Sequence, residues 1–333
     1  MRVIPVDVEA PGEGVREAAK VLRRGGLVAF PTETVYGLGA HALDPAAVAR
    51  IYRAKGRPAY NPLIVHVATV EAARALSSAW PASADALAGR FWPGPLTLVV
   101  PKAASIPDSV SAGLATVGVR VPAHPVAHAL LAAAGIPVAA PSANRSSHVS
   151  PTTAEHVRRS LGDRVDLILD AGPSPVGIES TVLSLAGPVP TVLRPGTISV
   201  DELREVLGEV RVGGDAAEGD AARPSPGMLD RHYAPSAEVR LFDSDGREAA
   251  LALASEAAGE GRRVGVIAFA PAAAPAAQVV EMPADAREYA ARLYAALHQL
   301  DAAGCDAIWI ERVPETPEWA GVRDRLARAA TAE

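Results

Sequence analysis

Short apolar runs that end in polar or turn residues constrain the fold of this chain more than any other feature. Such runs of aliphatic and β-branched residues are typical of buried strands. Segments with helical periodicity lie between them. Because strands that alternate with helices favour a layered sheet, we predict a twisted α/β fold. The clearest runs are residues 27–30, 63–67, 96–100, 117–121, 136–140 and 167–170.

Polar side chains gather where these runs end. Thr32, Glu33 and Thr34 follow Pro31, which cannot donate a ladder hydrogen bond and should end its strand. Arg120 lies inside an apolar run, where a guanidinium needs an anion or a carboxylate as partner. Open α/β sheets bind ligands at strand ends, so a ligand site is expected there. Ser142, Ser180 and Arg194 also lie at or beside strand ends, and Gly37 and Gly39 would let the backbone approach a ligand.

Other interpretations of several of these residues are equally simple. A lone histidine on a strand, such as His66, is more often packed than catalytic. His124 and His128 have i,i+4 spacing without an evident third metal ligand, which favours surface helix histidines. The hydroxyl-rich loop at 141–150 is either an N-cap cluster for a helix from Thr153 or a cradle for phosphates.

Composition limits the classes of protein. The length of 333 residues suggests about two domains, and one cysteine excludes intrachain disulfides and multi-cysteine zinc sites. No run of 18 apolar residues exists and the first residues lack a signal core, so we expect a cytoplasmic protein without a membrane partner. Residues 1–200 hold 18 Arg and Lys against 14 Asp and Glu, and residues 201–333 hold 14 against 24. The basic half is the better place for phosphate or RNA.

Three regions are predicted along the chain. Residues 1–210 form the first domain, 211–236 a linker rich in Gly, Ala and Asp, and 237–333 a small Rossmann-like α/β domain without a dinucleotide fingerprint. The linker carries the segment SPGMLDRHYAP at 225–235. His232 and Tyr233 have no packing role in a linker, which favours docking onto the first domain.

The nucleotide-binding motifs with lysine are missing. None of Lys20, Lys55 and Lys102 follows a glycine, so a P-loop is excluded. If the chain binds ATP, it does so with Arg, Lys and hydroxyl groups from strand-end loops. No nucleophile with a paired base stands out, which favours catalysis by positioning and charge neutralisation.

Several motifs resemble one family in the same order. They are PTETVYGLG at 31–39, KGRPAYNPL at 55–63, FWPGPLT at 91–97, VGVRVP at 117–122, PSAN at 141–144, ESTV at 179–182, LRPG at 193–196 and the linker segment. Together they resemble the YrdC-like threonylcarbamoyl-AMP synthases in their long two-domain form. The resemblance implies that L-threonine, bicarbonate and ATP are joined to threonylcarbamoyladenylate with release of pyrophosphate. It also implies that a partner transferase machinery uses the product to modify the adenosine beside the anticodon in tRNAs reading ANN codons.

The resemblance also implies site residues. L-threonine would be bound by Thr34, His66, Arg120, Ala140 and Ser180. ATP would be bound by Arg57, Asn61, Thr116, Ser142, Ser150, Arg194 and Tyr233, with Lys55, Arg57, Ser142 and Asn144 as the catalytic set facing the phosphates. Mg²⁺ would accompany ATP without a dedicated carboxylate cage. The linker with Tyr233 is predicted to act as a lid over the reactive adenylate.

Two other functions fit the same fold. One is an RNA-binding protein that uses the basic half without forming an adenylate. The other is a carbamoyl-transfer domain of the hydrogenase-maturation type. Those chains also carry zinc-finger parts, which a chain with one cysteine cannot hold.

Overall fold

The computed structural model describes residues 1–213, 232–269 and 277–330. Within these ranges it contains an eleven-stranded mixed sheet and a four-stranded parallel sheet. Helices pack on both sheets. The predicted fold class, a twisted mixed-sheet domain followed by a small Rossmann-like α/β domain, is confirmed.

The first sheet contains all strands described up to residue 213. Their order across the sheet is β1-β8-β2-β3-β7-β4-β6-β5-β9-β10-β11, so neighbours in space are often far apart in the chain. The strands are β1 (Arg2–Pro5), β2 (Val28–Phe30), β3 (Gly37–His41), β4 (Ile64–His66), β5 (Leu96–Pro101), β6 (Thr116–Arg120), β7 (Val138–Ala139), β8 (Leu167–Asp170), β9 (Thr181–Ser184), β10 (Thr191–Arg194) and β11 (Arg211–Val212).

Helices cover both faces of this sheet. They are α1 (Gly12–Arg23), α2 (Pro45–Lys55), α3 (Val70–Arg74), α4 (Ala82–Phe91), α5 (Asp108–Ser111), α6 (Pro125–Ala134), α7 (Ala154–Leu161) and α8 (Val200–Leu207). Successive side chains of β2 point to opposite faces of the sheet and pack in two different cores. Ala29 packs in the core with α2 and α4, whereas Val28 and Phe30 pack in the core with α1 and α6. A strand that is buried on both faces explains why its sequence is apolar throughout.

The C-terminal domain has four parallel strands in the order β12-β15-β13-β14. They are β12 (Glu238–Phe242), β13 (Val264–Ala268), β14 (Gln278–Glu281) and β15 (Ala307–Glu311), and the helices are α9 (Arg247–Gly259), α10 (Ala286–Ala302) and α11 (Ala320–Ala330). No described helix is both long enough and apolar enough to cross a bilayer.

The structure differs from the sequence-based predictions at a few places. Strand β3 was not predicted; it contains Gly37 and Gly39, and Gly39 lets Phe30 and Val138 pack closely. His124 was expected on the surface but is buried, because its Nδ1 accepts a hydrogen bond from the Val126 backbone as the N-cap of α6. Strand β14 was not predicted. The first linker residues, Arg211–Val212, extend the sheet as β11, and residues 214–231 lie outside the described ranges.

The two domains share a hydrophobic core. Val35, Val149 and Ile178 of the first domain pack with side chains of α10 and α11. Gly177 lies where this interface is tightest: a Cβ there would be 2.3 Å from the Ala290 carbonyl oxygen of α10. Its φ of +80° is also unfavourable for other residues. The first domain therefore approaches the α10 backbone through a glycine.

We predict that Gly177→Ala weakens the domain interface. Gly172→Ala is the matched control, because Gly172 has a φ of +79° and open space around its Cβ position. Both variants carry the cost of a left-handed alanine, but Gly177→Ala also forces α10 to move. Its free energy of unfolding in urea should fall by about 1–3 kcal/mol more than that of the control. Equal losses in the two variants would contradict a close approach here.

Candidate active site

A cavity opens where strands of the first sheet end, and we call it the strand-end cavity. The space between its atoms amounts to about 560 Å³ when the open solvent at its mouth is included. His66, Arg120 and Arg194 are the last residues of β4, β6 and β10. The wall consists of Thr32, Thr34, Val35, Gly37, Arg57, Pro62, Ile64, His66, Arg120, Ala140, Pro141, Ser142, Glu179, Ser180, Arg194, His232 and Tyr233. The expected concentration of polar side chains at strand ends is therefore present.

Arg120 is fixed from three sides. Its Nη2 lies 2.7 Å from Glu33 Oε1 in a buried ion pair. Its Nη1 donates to Thr34 Oγ1 at 3.0 Å and its Nε to the Gly94 carbonyl at 3.1 Å. The carboxylate that sequence reasoning required for a buried arginine is thus Glu33, which had been given no role. The result is a preorganised guanidinium on the cavity wall.

Two wall histidines are held in the neutral form. His66 pairs in register with Arg120 across β4 and β6, and its Nδ1 is buried without a hydrogen-bond partner among the described residues. Burial, and then the Arg120 charge, lower the pKa of His66 to about 3. Burial also lowers the pKa of His232 to about 3 despite the nearby Glu179. Both rings can thus donate or accept hydrogen bonds at neutral pH without adding charge.

Lys55 supports the loop that follows β7 and does not line the cavity. Its Nζ donates to the carbonyl oxygens of Ser142 and Asn144, both at 2.6 Å. The Asn144 amide in turn accepts from Ser142 Oγ at 2.6 Å and donates to the His148 carbonyl at 2.7 Å. Burial, and then the charge of Arg57, lower the pKa of Lys55 well below its usual value. Lys55 and Asn144 therefore shape the loop that presents Ser142.

Arg57 reaches the cavity from the turn after α2. Its Nε and Nη2 donate to the carbonyl oxygens of Asn61 and Pro62 at 3.1 and 2.8 Å. Burial lowers its pKa to about 10, which leaves it charged at neutral pH. Asn61 is fully buried, and neither side-chain amide atom has a partner among the described residues. A buried amide without protein partners is uncommon and suits a ligand.

Ser180 and Arg194 form one hydrogen-bonded unit on the cavity wall. Arg194 donates from Nε and Nη2 to the Ser180 carbonyl at 3.2 and 3.0 Å, and from Nη2 to Ser180 Oγ at 3.2 Å. Thr97 Oγ1 shares a further hydrogen bond of 2.8 Å with Ser180 Oγ. The strand ends of β5, β9 and β10 are therefore tied together beside the cavity.

Glu179 is the wall residue that sequence reasoning missed. Its Oε1 accepts from Ser150 Oγ at 2.5 Å, and its Oε2 accepts from Tyr294 Oη at 3.0 Å and Arg325 Nε at 2.9 Å. Burial raises its pKa, but Arg325 and Arg194 outweigh this and lower the pKa to about 2. Glu179 belongs to the ESTV segment, so a motif had marked it, whereas Tyr294 and Arg325 had no sequence signal.

The structure brings most of the predicted site residues onto one cavity. Those on its wall are Thr34, Arg57, His66, Arg120, Ala140, Ser142, Ser180, Arg194 and Tyr233. Lys55, Asn61, Asn144 and Ser150 are buried and are not among the wall residues. Thr116 lines a separate small hollow that shares Pro62 and Ile64 with the strand-end cavity. The individual roles of these residues stay predictions.

Comparison with known proteins decides the family. A family model described as "Telomere recombination" (Sua5_yciO_yrdC) matches residues 20–196, and "Threonylcarbamoyl-AMP synthase, C-terminal domain" matches residues 198–331. The chain is 44% identical to threonylcarbamoyl-AMP synthase of Pyrococcus abyssi, over 95% of this chain and 94% of the relative. The chain belongs to the threonylcarbamoyl-AMP synthase family. The resemblance inferred from its motifs is confirmed, including the two-domain form.

Further members of the threonylcarbamoyl-AMP synthase family agree in length and fold. The Bacillus subtilis synthase is 43% identical over 95% of this chain and 92% of the relative. The crystal structure of P. abyssi Sua5 complexed with L-threonine superposes with a TM-score of 0.93 at 43% identity, covering 99% of this chain and 98% of that chain. Both domains thus correspond to those of this synthase family.

We predict that stability falls as the pH drops below about 6.5. His66 has a folded pKa of about 3 and an unfolded pKa of about 6.5, so only the unfolded state takes up its proton between these values. His66→Gln removes this linkage. Between pH 7.5 and pH 5.0, the variant should lose up to about 2 kcal/mol less unfolding free energy than the wild type.

Urea unfolding at both pH values measures this difference. His128→Gln, at an exposed position on α6, is the control and should follow the wild type. A His66→Gln variant that loses as much stability as the wild type would show that His66 titrates normally.

Proposed function

We propose that this chain is a nucleotidyltransferase that joins L-threonine, bicarbonate and ATP to threonylcarbamoyladenylate and releases pyrophosphate. The proposal rests on the strand-end cavity, in a chain that belongs to the threonylcarbamoyl-AMP synthase family. It brings three guanidinium groups, those of Arg57, Arg120 and Arg194, around one space lined with hydroxyls. Such a site suits a substrate with a carboxylate together with a triphosphate.

L-threonine is proposed to bind at the side of Arg120. Arg120 pairs with the amino-acid carboxylate from the orientation that Glu33 and Thr34 impose on it. Neutral His66 and the Ser180 hydroxyl offer hydrogen bonds without charge, and the backbone at Ala140 completes the wall. The P. abyssi relative of known structure was solved with L-threonine, which supports this substrate.

ATP is proposed to bind between Arg57, Ser142 and Arg194, with Tyr233 covering it. Asn61 supplies amide groups that the protein leaves unpaired, and Ser150 supports the wall through Glu179. Lys55 and Asn144 act by holding the Ser142 loop in place. Thr116 is the least direct of the proposed contacts, because its hollow only adjoins the cavity.

The reaction then needs positioning and charge neutralisation. The threonine amine attacks CO₂ with loss of a proton, or bicarbonate with loss of water, to give a carbamate. The carbamate oxygen then attacks the α-phosphorus of ATP with pyrophosphate as the leaving group. Negative charge grows on the phosphates in the transition state, and Arg57 and Arg194 stabilise it. Their donors are already fixed to backbone carbonyls, so little reorganisation is required.

Mg²⁺ is proposed to enter with the phosphates of ATP. In the ranges that the structure describes, no group of three or more His, Cys, Asp or Glu side chains is placed to hold a metal ion. The Glu179 carboxylate on the wall already accepts three hydrogen bonds from protein donors. The donor set therefore fits an ion bound mainly by phosphate oxygens and water, which neutralises phosphate charge.

The remaining parts of the proposal concern the product. The reactive adenylate passes in the cytoplasm to a transferase that modifies the adenosine beside the anticodon of tRNA. Tyr233 is buried against the cavity, which supports a covering role for its segment; residues 214–231 of the predicted lid lie outside the described residues. The RNA-binding alternative is not favoured, since a pure RNA binder needs no threonine-sized polar cavity.

Pyrophosphate release tests the proposed function. With ATP and bicarbonate, release should require L-threonine and be much slower with L-serine. Arg57→Ala should lower kcat/KM by about 100-fold, because one preorganised charge is lost from the transition state. Arg53→Ala, exposed on α2, is the control and should keep full activity. Threonine-independent release, or no release with ATP intact, would reject the synthase.

Asn61 offers a test that separates binding from stability. Asn61→Leu removes an amide that the described protein leaves unpaired, so its free energy of unfolding should stay within about 0.5 kcal/mol of the wild type or rise. The KM for ATP should increase by about tenfold.

The matched control is Asn144→Leu, whose amide is fully bonded to Ser142 and His148. It should lower the unfolding free energy by about 1–3 kcal/mol. Urea unfolding and steady-state kinetics measure both effects. An unchanged KM in Asn61→Leu would remove Asn61 from the nucleotide site.

A further inference from the structure

An arginine of the C-terminal domain contacts a wall residue of the strand-end cavity. Arg325 lies on α11, and its side chain has 0% exposure. Its Nε donates to Glu179 Oε2 at 2.9 Å, and its Nη2 donates to the Glu179 carbonyl at 3.2 Å. Its Nη1 donates to the Pro195 carbonyl at 2.7 Å. One guanidinium thus bridges two segments of the first domain.

These two segments flank the residues proposed to bind substrates. Glu179 precedes Ser180, and Pro195 follows Arg194, which itself donates three hydrogen bonds to Ser180. Arg325 therefore brackets the Ser180–Arg194 unit from behind. A shift of either segment would move the guanidinium of Arg194 relative to the cavity.

Arg325 also balances a charge that faces the cavity. The Glu179 carboxylate lies on the wall, and Arg325, with which it forms an ion pair, comes from the other domain. Without Arg325, the carboxylate would be a buried anion beside the proposed phosphate site. It would repel the phosphates and compete with them for Arg194.

The Arg325 guanidinium also contacts Tyr233, the residue proposed to cover ATP. Its Cζ lies 5.2 Å from the centroid of the Tyr233 ring, which is the geometry of a cation–π contact. Tyr233 has a φ of +60°, a conformation that a tyrosine keeps only when its surroundings hold it. Arg325 thus supports the wall and the covering residue together.

We propose that Arg325 is a positioning residue of the nucleotide site, through which the C-terminal domain neutralises Glu179 and fixes Arg194 and Tyr233 for ATP. The proposal rests on the proposed function, because it assumes that ATP occupies this side of the cavity. It assigns the acidic C-terminal domain a part in building the site, in addition to its own fold.

A charge-rescue experiment on the full-length chain tests this role. ATP and L-threonine dissociation constants are measured by calorimetry for the wild type, Arg325→Met, Glu179→Gln and the double variant. Arg325→Met keeps the volume and leaves Glu179 uncompensated, so ATP binding should weaken by at least about tenfold. L-threonine binding should stay within about threefold, because Arg120 has its own partner, Glu33.

The double variant separates charge from packing. With Glu179→Gln added, the uncompensated Glu179 carboxylate is removed, and at least half of the loss in ATP affinity on a logarithmic scale should return. A double variant as weak as Arg325→Met would overturn the proposal, as would an ATP affinity within twofold of the wild type in Arg325→Met. Equal weakening of both ligands would show a general structural role and also overturn it.

Two outcomes remain to be distinguished. If Arg325→Met does not fold, Arg325→Lys is tested in its place. Lysine keeps the charge but cannot bridge Glu179 and Pro195, so this variant should bind ATP about threefold more weakly. Wild-type ATP affinity in Arg325→Lys would overturn the proposal. Wild-type protein that binds ATP without threonine-dependent pyrophosphate release rejects the proposed function alone. Wild-type protein that binds no ATP rejects both.

Discussion

The arrangement of the two domains depends on the pairing of the buried Glu179 carboxylate. An ionised carboxylate removed from water is costly unless it is paired and fully hydrogen-bonded. Here its partners come from both domains: Ser150 from the first, Tyr294 and Arg325 from the second. Separating the two domains therefore costs more free energy than breaking an ordinary surface contact. It would leave the Glu179 carboxylate inside the first domain without Tyr294 and Arg325.

The polar network and the apolar interface support each other. The hydrophobic core shared by the two domains contains Ile178, the residue directly before Glu179. Packing of α10 and α11 against it excludes water from the ion pair, and a drier surrounding strengthens the pair. The short segment with Ile178 and Glu179 thus contributes both to the domain interface and to the cavity wall.

Much of the fold could be predicted because local signals agree with the tertiary structure. Helix α2 carries such local signals, since Asp44 caps it, Pro45 starts it and Gly56 ends it in a left-handed conformation. Strand β3 was missed because glycines carry no strand signal, and its pairing with β2 and β7 is decided by distant residues. Strand β14, with both end residues exposed, has no apolar pattern to distinguish it from a loop.

The site was predictable to the extent that its residues lie at strand ends. Hydroxyls and arginines that follow apolar runs are visible in the sequence, and the sheet brings them together. Lys55 could be selected, but not its contacts with backbone carbonyls behind the wall. Arg325 could not be selected at all, because neighbours such as Asp324 and Arg328 give it the appearance of an exposed helix residue. Its importance follows from burial, which the sequence does not encode locally.

The pairing of the two N-terminal strands has a consequence for how the protein folds. β2, which carries Thr32–Val35 to the site, lies between β3 and β8, and Val28 is in register with Leu167. β1 also depends on β8, through Arg2 and Leu167. Native contacts between residues so far apart in the chain give a high contact order, and forming them requires closure of a long loop. The N-terminal strands therefore complete their pairing late, and an emerging chain exposes the edge of β2 until β8 has been synthesised.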